Sequence, residues 1–97
     1  MKIFAFEREL PEATKELFAL HAKEEARVVW ELYQAGVIRE LYFHAEQHTA
    51  VLVLECASTE EAGGILSGLP YVGQGLIAFD LVPLAPYSGF ARLFDQD

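Results

Sequence analysis

Alternation of apolar and polar positions marks the first element, a strand from Lys2 to Arg8. Beyond Leu10-Pro11-Glu12, which turns the chain and places a proline near a helix start, the spacing becomes helical as far as about Ala35. At steps of about 100° per residue, Phe18, Ala22, Ala26, Val29, Leu32 and Tyr33 fall on one stripe, with Lys15, Lys23 and Arg27 at its edges or opposite. Gly36 is the expected left-handed cap. Two β-rich runs follow, Val37 to His44 and Thr49 to Cys56, and the short connection Ala45-Glu46-Gln47-His48 predicts that they pair as an antiparallel hairpin. Ser58-Thr59-Glu60-Glu61 has the form of a capping box. The helix it opens, to about Ser67, contains Gly63 and Gly64, each costing about 1 kcal/mol relative to alanine, so it is expected to be short and weakly held. Gly68 to Gly75 reads as a loop, and Leu76 to Leu84 as the last strand.

The order strand, helix, strand, strand, helix, strand predicts an α+β fold, the ferredoxin-like βαββαβ plait, with a four-stranded antiparallel sheet under two helices. Two helices cover one sheet face only, and parity sorts the residues. Val37, Leu41 and Phe43 in the second strand, and Ile77, Phe79 and Leu81 in the fourth, form helix-facing sets. The other face then receives Ile38, Glu40, Tyr42 and His44, with Ala78, Asp80 and Val82. This mixture of apolar bulk and ionisable groups predicts a homodimer packed sheet against sheet, with a small cavity in each subunit. Residues 1–97 form one domain, in which 85–97 is an apolar C-terminal extension expected to pack on the partner or cap the cavity.

Composition narrows the partners. At 97 residues and 53% hydrophobic, the chain carries more apolar surface than one small core needs, which again favours self-association. A formal net charge of -8 repels phosphate backbones and anionic lipid, so neither nucleic acid nor a membrane surface is an expected partner. The single cysteine, Cys56, cannot form an internal disulfide, and the apolar run Met1 to Phe6 is too short for a leader or a span, which predicts a cytoplasmic protein.

The chain resembles the muconolactone isomerase-like members of the dimeric α/β-barrel superfamily over roughly residues 16 to 72. The resemblance rests on Glu25 late in the first helix, on Gly36-Val37-Ile38-Arg39 with Leu41 and Tyr42, on the hairpin, on Ser58 to Ala62, and on Leu69-Pro70. It implies sheet-to-sheet dimers and a cofactor-independent proton shift beside the carbonyl of a lactone. Glu40, Phe43 and the tail from Leu84 to Phe94 depart from the family pattern.

Candidate chemistry gathers in two places. Glu25 lies near the centre of the apolar stripe, where a carboxylate needs a partner; His21 one turn earlier or Arg39 just after the helix could neutralise it. Glu25 and Arg39 then form a structural ion pair, or Glu25 carries a proton and Arg39 anchors a substrate carboxylate through its bidentate fork. Glu40, Tyr42 and His44 share one strand face at i, i+2 and i+4. In a cavity walled by Phe4, Phe6 and Val82 the pKa of Glu40 would rise, and His44 would serve as acid partner; in water the same residues are interface polar groups. Asp80 joins this set if parity holds, and Tyr71 and Tyr87 are candidates for the cavity mouth. Glu40, His44 and Glu25 are thus the candidate catalytic residues, with Arg39, Tyr42, Asp80 and Tyr71 for substrate. No cofactor is expected. No metal site is expected either, because His44 and His48 lack a third ligand of clear geometry. Gly73-Gln74-Gly75 precedes a strand, so it is a turn and not a dinucleotide loop.

The expected activity is that of a cofactor-free isomerase of small organic acids or lactones. The competing readings are a non-catalytic ligand-binding or assembly module and a cofactor-free monooxygenase of aromatic substrates.

Overall fold

A computed structural model describes residues 1–95. In chain order the elements are β1 (Lys2–Glu9), α1 (Lys15–Gln34), β2 (Ile38–Phe43), β3 (Ala50–Glu55), α2 (Thr59–Leu66), the single turn α3 (Pro70–Gly73) and β4 (Ile77–Pro83), followed by a 3-10 helix at Gly89–Phe94. All neighbouring strands are antiparallel, in the order β2-β3-β1-β4. This is the ferredoxin-like plait expected from the periodicities.

Local chemistry explains the boundaries. Helix α1 starts later than Pro11 suggests, because Thr14 takes the N-cap position and its Oγ1 accepts the Leu17 N–H at 3.2 Å. Pro11 and Glu12 instead form a turn, and the Leu10 N–H donates to Leu76 O at 2.9 Å. Gly36 ends α1 with φ at 80°, in the left-handed region where a side chain is strained. The capping box is half realised, with Ser58 Oγ accepting the Glu61 N–H at 3.1 Å. The expected loop after α2 contains α3, with Pro70 in its first turn.

The sheet core is built from alternate residues. Ile3 and Ala5 of β1 lie opposite Leu54 and Leu52 of β3, and these four pack with Ala62 and Leu66 of α2 and with Leu69. Each fully buried Leu or Ile here contributes about 1.5–3 kcal/mol. Cys56 belongs to the same cluster, and burial pushes its thiol pKa up, as suits a small core hydrophobe.

One parity expectation fails. A bulge in β2 lets Ile38 pair with Leu54 and Glu40 with Val53, leaving Arg39 as the extra residue. Ile38 therefore faces the helices, completely buried, and does not share the open face with Glu40 and Tyr42. Beyond the bulge the alternation is as expected: Leu41 pairs with core Leu52, and Tyr42 with Val51 on the open face. In β4 the helix-facing set Ile77, Phe79 and Leu81 and the opposite set Ala78, Asp80 and Val82 are also found, the latter paired with Arg8, Phe6 and Phe4.

The C-terminal extension reaches the last described residues without packing on the domain: Tyr87, Phe90, Leu93 and Phe94 are all strongly exposed. Residues 96 and 97 of that expected extension lie outside the described ones.

Candidate functional site

Helix α1 buries none of its residues completely, although Val28, Val29 and Leu32 in its C-terminal half pack against the core. Toward its middle the sheet-facing positions are the small Ala22 and Ala26, and the helix there stands away from the sheet. The resulting cavity has a volume of about 590 Å³. Its floor is Leu41, Phe43, Ala50, Leu52, Ile77 and Phe79 from the sheet, its roof is Ala22, Glu25, Ala26 and Val29 from α1, and Trp30 and Tyr33 stand at its rim. Leu69 and Tyr71 close one side.

Two carboxylates enter this largely apolar space, Glu25 from above and Glu7 from β1. Glu25 Oε1 accepts the backbone N–H of Tyr71 at 2.9 Å. Desolvation nevertheless raises the Glu25 pKa above the ordinary glutamate value; the Tyr71 hydrogen bond pulls it back and the charge of Glu7 adds to the rise. Glu7 Oε1 accepts the Ala50 N–H at 3.0 Å, which ties the carboxylate to the start of β3. Tyr71 is itself anchored: its hydroxyl donates to Phe18 O at 3.2 Å and its ring meets the Phe18 ring edge-on at 5.0 Å. Burial and the two carboxylates push its phenol pKa up. No Lys, Arg or His is among the lining residues.

The expected site residues separate into two groups. Glu25 and Tyr71 meet at the cavity. Glu40 does not line it; on the open face its Oε1 accepts the Tyr42 hydroxyl at 2.5 Å, a bond that raises the Tyr42 pKa. Tyr42 borders the cavity while its hydroxyl is engaged in that bond. His44 lies at the hairpin turn, where its Nδ1 accepts the backbone N–H groups of Glu46 at 3.2 Å and Gln47 at 3.0 Å. Asp80 is on the open face as expected, bridged to Arg8 at 3.3 Å.

The expected neutralisation of Glu25 by Arg39 or His21 is not found among the described residues. The bulge turns Arg39 outward, where its Nε donates to Gly36 O at 2.5 Å, and burial in place of an ion pair sets the state of Glu25. Glu7 escaped the sequence reading, although it shares the parity of Ile3 and Ala5 and so had to face the helices. Among the described residues no group of three or more His, Cys, Asp or Glu is gathered as a metal site would require, and no helix is long and apolar enough to cross a membrane.

No family model matches this sequence, and no curated protein matches it. Among solved structures, muconolactone isomerase superposes with a TM-score of 0.74 at 18% identity, covering 91% of this chain and 92% of that one. Both chains are therefore matched nearly end to end, and this protein has the fold of muconolactone isomerase.

Proposed function

We propose that the α1–sheet cavity binds a lactone or related small carbonyl compound and that Glu25 shifts a proton on it without a cofactor. The observation that carries this reading is a half-buried carboxylate whose pKa is raised by desolvation inside an apolar cavity of about 590 Å³. Such a group is a stronger base than glutamate in water, and its conjugate acid persists closer to neutral pH. In the proposed step Glu25 takes a proton from carbon beside the carbonyl, the electron pair moves onto the carbonyl oxygen, and the same carboxyl returns the proton at another carbon of the conjugated system. Tyr33, whose ring lines the cavity, is the phenol proposed to face the developing enolate. The fold shared with muconolactone isomerase supports the same reaction class, although at 18% identity it supports nothing finer. The reading includes a homodimer joined through the open face and a cytoplasmic setting, the latter suggested by the single unpaired Cys56.

Proton NMR in deuterated buffer, with muconolactone and a panel of neutral and carboxylate-bearing lactones, tests the proposal. Loss of a carbon-bound proton signal is expected with the native chain and with Glu40→Gln, and its abolition with Glu25→Gln. Exchange that survives Glu25→Gln and disappears in Glu40→Gln would move the chemistry to the open face. Binding without exchange would make the protein a ligand-binding module.

A further inference from the structure

The charge inside the cavity is one-sided. Glu7 stands in its floor, opposite Phe79 in the pairing of β1 with β4, and Glu25 enters from the roof. One backbone N–H holds each carboxylate by its Oε1, that of Ala50 for Glu7 and that of Tyr71 for Glu25. Among the described residues neither carboxylate makes an ion pair, and neither receives a second hydrogen bond. A fixed acceptor oxygen is thus left without a protein partner on both sides of an apolar space of about 590 Å³.

The basic side chains are engaged elsewhere. Arg8 is bridged to Asp80 on the open face, Arg27 is paired with Glu24 and Glu31, and Arg39 Nε donates to Gly36 O at 2.5 Å. His48 stacks on the lining residue Phe43 at 4.2 Å without lining the cavity itself. A ligand carboxylate entering here would give up its water, meet two like charges and find no cation to replace what it lost. A ligand ammonium group would meet the opposite surroundings: two carboxylates, and an aromatic lining that includes Trp30, Tyr33 and Phe79, of the kind that attracts organic cations. The volume is ample for a five-membered ring with a short side arm.

We propose that the cavity selects its ligand by charge: a ring carbonyl compound whose side arm carries an ammonium group is accepted, the same ring carrying a carboxylate is rejected, and Glu7 is the residue that sets this choice. The proposal rests on the reading of the cavity as a lactone site given above. It removes from the substrate the carboxylate that Arg39 was expected to hold.

Calorimetric titration at pH 7.5 with four lactones of one ring tests it. Muconolactone is compared with its primary amide, and a lactone carrying a 2-(trimethylammonio)ethyl arm with its uncharged isostere, the 3,3-dimethylbutyl lactone. The amide should bind at least about tenfold more tightly than muconolactone, the equivalent of about 1.4 kcal/mol, and the cation at least as tightly as its isostere. Glu7→Gln keeps an acceptor for the Ala50 N–H. It should reduce the disadvantage of muconolactone at least about threefold and weaken the cation relative to its isostere by a similar factor. Muconolactone bound as tightly as its amide overturns the proposal, as do ratios that Glu7→Gln leaves unchanged. Discrimination present at 20 mM salt and lost at 500 mM would belong to the net charge of -8 and not to the cavity, and overturns it too, because half-buried charges at close range are screened far less than exposed ones. Failure of all four lactones to bind removes the lactone site and this proposal with it. Deuterium exchange separates the two readings. Exchange as efficient with muconolactone as with its amide supports the Glu25 chemistry and overturns the selection by charge; no exchange with any lactone, the order of affinities intact, overturns the Glu25 chemistry and supports the selection.

Discussion

At the scale of single residues the state of Glu25 is decided by opposing effects. Removal from water disfavours its charge, the Glu7 carboxylate disfavours it further, and one backbone N–H favours it; the balance is a raised pKa. For a carboxylate this sign means that folding is penalised once the pH exceeds the unfolded value of about 4.3, and that the penalty is relieved as the pH falls from the raised folded value to the unfolded one. Glu25→Gln keeps an acceptor for the Tyr71 N–H and removes the charge. It should therefore melt higher than the native chain at pH 8, with the difference shrinking to nothing near pH 4, while proton exchange in the substrate is lost at both. A melting temperature that moves in parallel with the native chain across this range would remove the desolvated carboxylate from the mechanism. Tyr71→Phe deletes the hydrogen bond to Phe18 O and should cost about 0.5–1.5 kcal/mol in a urea titration. Glu25 was legible in the sequence because it interrupts an apolar stripe. Its neighbour Glu7 was not, because the large Phe4 and Phe6 made the opposite parity of β1 look like the cavity wall.

At the scale of elements the plait was legible because each segment's period agrees with its place in the fold, while the defects were not. Strict alternation from Val37 to His44 puts Ile38 on the open face and Arg39 under the helix, and a single extra residue reverses both. Nothing in a run of strand-forming residues announces a bulge; it lies just past the turn at Gly36, where the Val37 N–H bonds Leu32 O at 3.0 Å. The glycines of this fold should respond in opposite directions. Gly36→Ala meets only ordinary contacts but retains a φ of 80°, and should destabilise by about 1–2 kcal/mol. Gly64→Ala, inside α2 with open space where its Cβ would stand, should stabilise by about 0.5–1 kcal/mol. Equal effects of one sign in denaturant titrations would contradict this account of both elements.

At the scale of the whole molecule, the uncovered sheet face and the net charge of -8 act against each other. The face presents Phe4, Phe6, Tyr42 and Val82 around the Arg8–Asp80 bridge, and burying such a surface favours pairing, whereas two acidic copies repel. Salt screens the repulsion over about 10 Å at 0.1 M and leaves apolar burial intact, so pairing through this face should tighten between 20 and 500 mM salt, concentrations chosen at about 20 Å and 4 Å of screening length. Sedimentation followed over this salt series checks the expectation. The dimer fraction should rise with salt. Val82→Asp adds a charge beside Phe4 on the exposed face and should yield a folded monomer at both salt concentrations; a dimer that persists in this variant would show that the sheet face is not where the copies meet.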